Sequence, residues 1–151
     1  MASSVELYPS GHGHPETRAY LDLVRTHGRI TTRSTEIFKR HGVTEQQYHA
    51  LRVLEAAGPS GLPCLELARQ LPTPAPDITR LLDRMRRAGL VRRQRLEADR
   101  RVVMIELTAR GSEIARRVRP EVAEFHRERL AHMTRDELDL LGRLLRKVRG
   151  E

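Results

Sequence analysis

The chain of 151 residues predicts a single domain, and its formal net charge of +8 predicts a polyanionic partner. Hydrophobic residues are 38% and aromatic residues 3% of the sequence, which favours aliphatic packing between helices over a β-sandwich or a β-barrel. No apolar run approaches roughly 18 residues and the N-terminus lacks the segments of a signal peptide, so we expect a cytoplasmic protein with no membrane partner.

The N-terminal residues predict a flexible tail followed by a long helix. Residues 1–15 are rich in Pro, Gly and His, which do not sustain a helix. From Glu16 to about Arg40, apolar residues recur at spacings near three and four, as they do on one face of a helix. Gly42 then supplies a stop signal. We therefore expect a tail at residues 1–15 and one domain at residues 16–151.

Three shorter helices are predicted next. Thr44 begins a capping box at the start of a helix that runs to about Ala57. A short third helix follows at residues 62–71. The fourth helix is expected to run from near Thr73 to about Ala88, with Thr73 as its N-cap and the neighbouring prolines in its first turn.

The pattern then changes from helical to extended. Residues 90–96 and 101–107 predict the two strands of one β-hairpin, with a charged tip at residues 97–100. Thr108 is expected to cap the next helix, in which Pro120 predicts a kink or a break. A second capping box precedes the last amphipathic helix.

This order of elements is that of a winged helix-turn-helix, whose second helix fits the major groove of B-form DNA. Arg80 and Arg84 are four residues apart and share the exposed face of the predicted fourth helix. An arginine that donates two hydrogen bonds to guanine contributes about 1–3 kcal/mol of discrimination. The alternative is that these arginines solvate the helix or pair with Asp77 and Asp83. Double-stranded DNA is the predicted partner.

The hairpin tip lies where a wing would meet the minor groove, which attracts inserted arginine when it is narrow. Asp99 is expected to hold Arg101 or the turn backbone, which leaves Arg100 available for DNA. The alternative is a solvated hairpin turn. The candidate DNA contacts are Thr73, Pro74, Ala75, Asp77, Thr79, Arg80, Arg84, Asp99, Arg100 and Arg101.

Two stretches of the sequence, residues 71–93 and 99–108, resemble the MarR family of bacterial transcriptional regulators, which are winged helix-turn-helix proteins. The order of the predicted elements agrees with that family over about residues 16–149. The wing signature of the family, D-x-R-x5-L-T, is matched in full by Asp99, Arg101, Leu107 and Thr108.

The resemblance implies a mainly α-helical fold with one small β-hairpin, assembled as a homodimer. Residues 44–108 would form the DNA-binding module, and residues 16–41 and 109–149 the dimerisation helices. A two-fold dimer reads a pseudo-palindromic operator whose half-sites are about 34–36 Å apart. Family members commonly repress transcription and release DNA when a small anionic or phenolic ligand, or an oxidant, shifts the dimer. The sequence pattern itself agrees with a homodimer, because three amphipathic helices flank a module that is too small to cover their apolar faces.

In this family the effector pocket lies between the DNA-binding module and the dimerisation helices. An Arg or His in such a pocket can pair with a carboxylate ligand, although surface charge and core packing are equally compatible with these residues. The candidate lining residues are Arg18, Tyr20, His27, His41 and Tyr48. Cys64, near the start of the third helix, makes a redox-responsive regulator an alternative to simple packing of a thiol.

The sequence gives no support to enzymatic classes of function. It contains no metal-ligand cluster, no cofactor-binding motif and no recognisable catalytic arrangement, so we expect no cofactor, no metal and no enzyme activity. Two alternatives remain, a nucleic-acid-binding or architectural protein without sequence specificity and a protein-interaction module for acidic partners. The intact wing signature favours the specific regulator, and the scarcity of aromatic residues argues against sequence-specific binding of single-stranded RNA.

Overall fold

The computed structural model describes residues 14–95 and 102–151, which form six helices and one small sheet. Its mainly helical architecture confirms the predicted fold class. In chain order the elements are α1 (Pro15–Arg40), α2 (Glu45–Ala57), β1 (Leu62–Pro63), α3 (Cys64–Gln70), α4 (Ile78–Arg87), β2 (Val91–Arg95), β3 (Val103–Leu107), α5 (Ala109–Leu130) and α6 (Arg135–Arg149).

Local side-chain signals set the starts of several helices as predicted. The Thr44 hydroxyl accepts a hydrogen bond from the Gln47 backbone N–H at 3.2 Å, and the Gln47 side chain accepts one from the Thr44 backbone N–H at 2.8 Å. Thr134 forms the second capping box with Glu137 at the start of α6. Pro15, assigned to the tail from the sequence, is instead the first residue of α1, a position at which proline is well tolerated.

The sheet has three strands in the order β1–β3–β2, and the first of them corrects the prediction that residues 62–71 are all helical. Leu62 pairs with Ile105 in an antiparallel register, so α3 begins only at Cys64. Gly61 permits this approach, because its φ is +66° and a Cβ there would lie 2.1 Å from the Ile105 carbonyl oxygen. A pairing partner this distant in sequence leaves no trace in local periodicity.

Helix α4 begins at Ile78, so the prediction of a helix from near Thr73 is wrong. Asp77 is the N-cap, and its Oδ1 accepts a hydrogen bond from the Arg80 backbone N–H at 2.9 Å. Alternate prolines at 72, 74 and 76 disfavour the helical region for each preceding residue, and Leu71 accordingly has an extended ψ of 138°. Thr73 to Ala75 therefore form an irregular segment ahead of the helix.

Helix α5 continues through Pro120, so of the kink or break predicted there, the break does not occur. Val118 and Val122, on either side of the proline, are both buried in the core. Packing of α5 against α1 and α2 thus holds the helix together across the missing backbone donor.

The hydrophobic core lies within the helix-turn-helix region and the adjoining parts of α1 and α5. Its buried side chains include Leu51, Leu54, Leu67, Leu82 and Ile105. By contrast, no residue of α6 is buried, and the buried residues of α1 all lie in its C-terminal half. Among the described residues, no helix has both the length and the apolar character that crossing a bilayer requires.

Candidate nucleic-acid interface

Helix α4 has one face in the core and an opposite face that is strongly basic. Leu81, Leu82 and Met85 are buried, and they anchor the helix against α3 and the sheet. The hydrophobic positions recur every three or four residues, so the intervening side chains are turned towards solvent. The exposed side chains of α4 are Thr79, Arg80, Arg84, Arg86 and Arg87.

The first turn of α4 holds Arg80 in an ion pair without burying it. Its Nε lies 3.0 Å from Asp77 Oδ2, and its side chain is 82% exposed. An ion pair this exposed contributes only about 0–1 kcal/mol, so it orients the guanidinium without preventing other contacts. Asp77, a candidate DNA contact from the sequence, has its carboxylate engaged both in this pair and in the helix cap.

A second ion pair joins α4 to the wing, and sequence reasoning missed it. Arg93 Nη1 lies 3.0 Å from Asp83 Oδ1, and both side chains are about two-thirds buried. The sequence placed Asp83 on the exposed face of the helix. The signal that could have found the pair is strand alternation, because Arg93 is two residues from the buried Val91 and therefore shares its face of β2.

The opposite face of β2 carries an ion pair that joins β2 to β3. Arg92 is in register with Glu106 on β3, and its Nε lies 2.5 Å from Glu106 Oε2. Glu106 is buried, so this arginine supplies the partner that a buried carboxylate needs. The wing strands are thus held to each other by side chains as well as by the backbone ladder.

Thr108, the last residue of the wing signature, ties three elements together. Its hydroxyl donates to the Gly89 carbonyl at 2.7 Å, at the turn between α4 and β2. The same oxygen accepts a hydrogen bond from the Gly111 backbone N–H at 3.0 Å and so caps α5, as predicted. This end of the signature therefore has a structural role that spacing alone did not reveal.

The tip of the wing contains three of the candidate DNA contacts. Asp99, Arg100 and Arg101 lie outside the described residues. The strands that lead to the tip end at Arg95 and resume at Val103, which agrees with the predicted hairpin.

The candidate effector residues are spread over the molecule. Tyr48 is buried in the core with its ring centroid 5.4 Å from that of Phe38, and burial raises the pKa of its hydroxyl. Arg18, Tyr20 and His27 are exposed on α1. Because an α-helix rises about 1.5 Å per residue, Arg18 lies about 35 Å from the other end of this helix. One chain therefore does not bring the five residues together.

His41, the fifth candidate, belongs to a charged cluster where the end of α1 meets α5. Its Nε2 lies 2.7 Å from Glu121 Oε1, and Arg40 Nη2 lies 2.5 Å from Glu121 Oε2. Hydrogen bonds from Arg40 and His41 lower the pKa of Glu121. This carboxylate links the two helices through both of its oxygens.

Cys64 lines a cavity of about 390 Å³ between α3 and the wing strands, beside Arg93 and Val103. Burial raises the pKa of its thiol, and the nearby Arg93 lowers it by a smaller amount. Since the thiolate is the reactive form, this environment disfavours rapid oxidation.

We expect Cys64 to react more slowly than glutathione with a disulfide reagent at neutral pH. A raised pKa leaves a smaller thiolate fraction, so the rate should reach half of its plateau at a higher pH than it does for the same thiol in the denatured chain. Stopped-flow absorbance against pH measures this, with the denatured chain as the control for an accessible thiol. A midpoint below that of the denatured chain would contradict the expectation and favour a redox sensor.

Comparisons with known proteins agree with this architecture. The family model described as MarR family matches residues 41–102. The homoprotocatechuate degradative operon repressor of Escherichia coli is 36% identical over 109 residues, which cover 72% of each chain.

Solved structures of related proteins agree as well. A MarR transcription factor from Planctomyces limnophilus is 38% identical, with a TM-score of 0.69 over 89% of this chain and 98% of that one. NadR in complex with 4-hydroxyphenylacetate is 28% identical, with a TM-score of 0.69 over 93% and 96% of the two chains. Sequence identity, coverage and fold together show that this chain belongs to the MarR family of transcriptional regulators.

Proposed function

We propose that the protein is a homodimeric repressor that binds a pseudo-palindromic operator through α4 and the wing and releases it on binding a small anionic or phenolic ligand. The observation that carries this proposal is the basic outer face of α4, which is supported from behind by buried side chains and tied to the wing by the Asp83–Arg93 pair. A rigid basic helix of this kind suits the major groove of DNA.

In this proposal the residues around α4 divide into two roles. Arg80 and Arg84 read base edges from one face of the helix, with Thr79 beside them. Thr73, Pro74 and Ala75 precede the helix and lie nearest the sugar-phosphate backbone, where contacts position the protein without specifying sequence. The wing tip, with Arg100 and Arg101, enters the adjacent minor groove.

The exposed apolar surface of α1 and α6 supports a dimer. Helix α6 exposes a continuous apolar stripe, and the N-terminal half of α1 exposes another. Surfaces of this kind on a soluble chain favour association. The side chains concerned are Tyr20, Leu23, Val24, Leu140, Leu141, Leu144 and Val148. In this assignment residues 16–41 and 109–149 dimerise, and residues 44–108 bind DNA.

The proposed effector class is supported by two relatives. NadR was solved with 4-hydroxyphenylacetate, a phenolic carboxylate, and the E. coli relative is named for the operon that degrades homoprotocatechuate. A site that combines His41 with Arg18 or Tyr20 requires the α1 helix of a second copy, because one chain keeps these residues about 35 Å apart. Ligand binding at such a shared site would be coupled to the geometry of the dimer.

The decisive experiment compares two DNA fragments of equal length, one from the intergenic region upstream of the gene and one of random sequence. Binding is measured at about 150 mM salt, where exposed charges are screened beyond about 8 Å. A preference of roughly 10³ or more is expected for a specific regulator. If the upstream fragment shows no preference, fragments selected for binding from a random pool are compared with random DNA. Near-equal affinities in that comparison as well would make the protein a non-specific nucleic-acid-binding or architectural protein.

Arg80→Ala is expected to weaken binding to the selected operator by about 1–3 kcal/mol more than binding to random DNA, because a base contact is lost only at the specific site. Fluorescence anisotropy on both fragments measures the two losses. The matched control is Arg116→Ala, which removes an exposed arginine paired with Glu113 on α5. Equal losses for Arg80→Ala on the two fragments would exclude base reading by this residue.

A further inference from the structure

A groove of about 690 Å³ runs between α1 and α5, away from α4 and the wing, and its charged lining is entirely arginine. Arg25, Arg29 and Arg33 form one wall from α1, and Arg129 reaches the groove from α5. Because residues four apart share a helix face, the three α1 arginines form a row about 12 Å long. The floor of the groove includes Gly28, where a Cβ would meet nothing within 4 Å.

Three of the four groove arginines lack a carboxylate partner within the described part of the chain. Arg25 has a distant one, Asp22 Oδ1 at 3.8 Å, in a pair whose side chains are more than half exposed. For Arg29, Arg33 and Arg129 the described residues 14–95 and 102–151 provide no ion pair at all. Like charges four residues apart destabilise a helix, so this row costs stability unless an anion lies against it.

Most other arginines and lysines on the same two helices have a carboxylate partner, although Arg18 on α1 and Arg110 on α5 have none among the described residues. Lys39 pairs with Glu36 at 3.0 Å on α1. Arg116 and Arg117 on α5 share Glu113, with contacts of 2.9 and 2.7 Å. Most basic residues of α1 and α5 outside the groove are therefore paired, either within their own helix or across to a neighbouring one, whereas three of the four groove arginines have no ion pair among the described residues.

We infer that this groove binds an elongated polyvalent anion of the oligophosphate class, either a free polyphosphate or the triphosphate of a nucleotide. A single carboxylate would neutralise one of four guanidinium groups, whereas linked phosphates distribute several charges along the row. Guanidinium groups bind phosphate oxygens through paired, charge-assisted hydrogen bonds. The site shares no residue with α4 or the wing, but its residues belong to the helices that the proposed function assigns to the dimer, so anion binding is tested without DNA and self-association is measured beside it.

Isothermal titration calorimetry with tripolyphosphate, in the absence of DNA, tests the inference. The salt concentration is about 150 mM, so that non-specific attraction between exposed charges is screened. Saturable binding of one anion per chain is expected. The double variant Arg29→Gln/Arg33→Gln should weaken it roughly tenfold or more, since two charge-assisted contacts are lost. Arg129→Gln alone should also weaken it, because the site requires both helices. ATP in place of tripolyphosphate distinguishes a nucleotide from a free oligophosphate by whether the base adds affinity.

The matched control is Arg116→Gln/Arg117→Gln, which removes the same charge from paired arginines outside the groove. It should change the affinity less than twofold if the groove is a defined site. Equal losses in both double variants would mean that tripolyphosphate responds only to net charge and would overturn the site. Absence of saturable binding would also overturn the inference. If Arg29→Gln/Arg33→Gln then self-associated more weakly in sedimentation velocity, the groove would be assigned to acidic residues of a second copy.

Discussion

Gly111→Ala is expected to lower the free energy of unfolding by about 2–4 kcal/mol, because it forces a methyl group into a closed backbone contact. A Cβ at this position would lie 2.2 Å from the Leu90 carbonyl oxygen and 2.8 Å from Leu107 Cδ1. The Leu90 oxygen cannot move freely, since it also accepts hydrogen bonds from Thr108. Chemical denaturation monitored by circular dichroism measures the change.

Gly28→Ala is the matched control, because Gly28 also lies inside a helix but has open space where its Cβ would be. Alanine is a better helix former, so this variant should be more stable by roughly 0.5–1 kcal/mol. The pair separates steric overlap from helix propensity. If Gly111→Ala were as stable as the unmodified protein, α5 would have to sit further from the turn between α4 and β2 than the structure places it.

Leu141→Glu/Leu144→Glu is expected to give a folded monomer with greatly reduced affinity for the operator. Leu141 and Leu144 are 36% and 51% exposed in the single chain, so the charges do not enter its core. They would, however, be buried and unpaired in the proposed dimer interface. Losing the second DNA-binding module should lower affinity for a two-half-site operator by roughly 10²–10⁴.

Sedimentation velocity and DNA binding are both needed to read this result. Arg146→Glu serves as the control, since it changes the net charge by the same amount on the side of α6 that faces away from the apolar stripe. This control should remain dimeric. A dimeric Leu141→Glu/Leu144→Glu variant would place the interface on another surface and contradict the proposed assembly.

Local signals in the sequence were sufficient to predict most of the helices. Thr44 and Thr134 mark helix starts through capping boxes whose partners lie three residues away, so the information is contained in a short window. The two wing strands are adjacent in sequence, and their extents agree with the structure within a few residues. At Pro120, a break was one of the two predicted outcomes, and it is absent because tertiary packing outweighs the local cost of proline there.

The features that the sequence did not reveal depend on contacts between distant residues. Strand β1 exists because Gly61 allows Leu62 to approach Ile105. The start of α4 was placed too early because Thr73 is a good capping residue in isolation, whereas the alternating prolines keep its segment out of the helix until Asp77. Within the candidate interface, Arg80 and Arg84 could be read from helix spacing, but Arg93 required the strand register and the helix position together.

The short connection between α4 and β2 limits the ways in which the proposed repressor can dissociate from DNA. Only three residues separate these elements, and the Thr108 hydroxyl and the Asp83–Arg93 pair fasten them on two sides. In the proposed repressor we therefore expect α4 and the wing strands β2 and β3 to move together, so that neither leaves the DNA while the other stays bound. In the proposed dimer we expect release to come from a hinge outside this unit, where a change in the separation of the two DNA-binding modules moves both contacts out of register together.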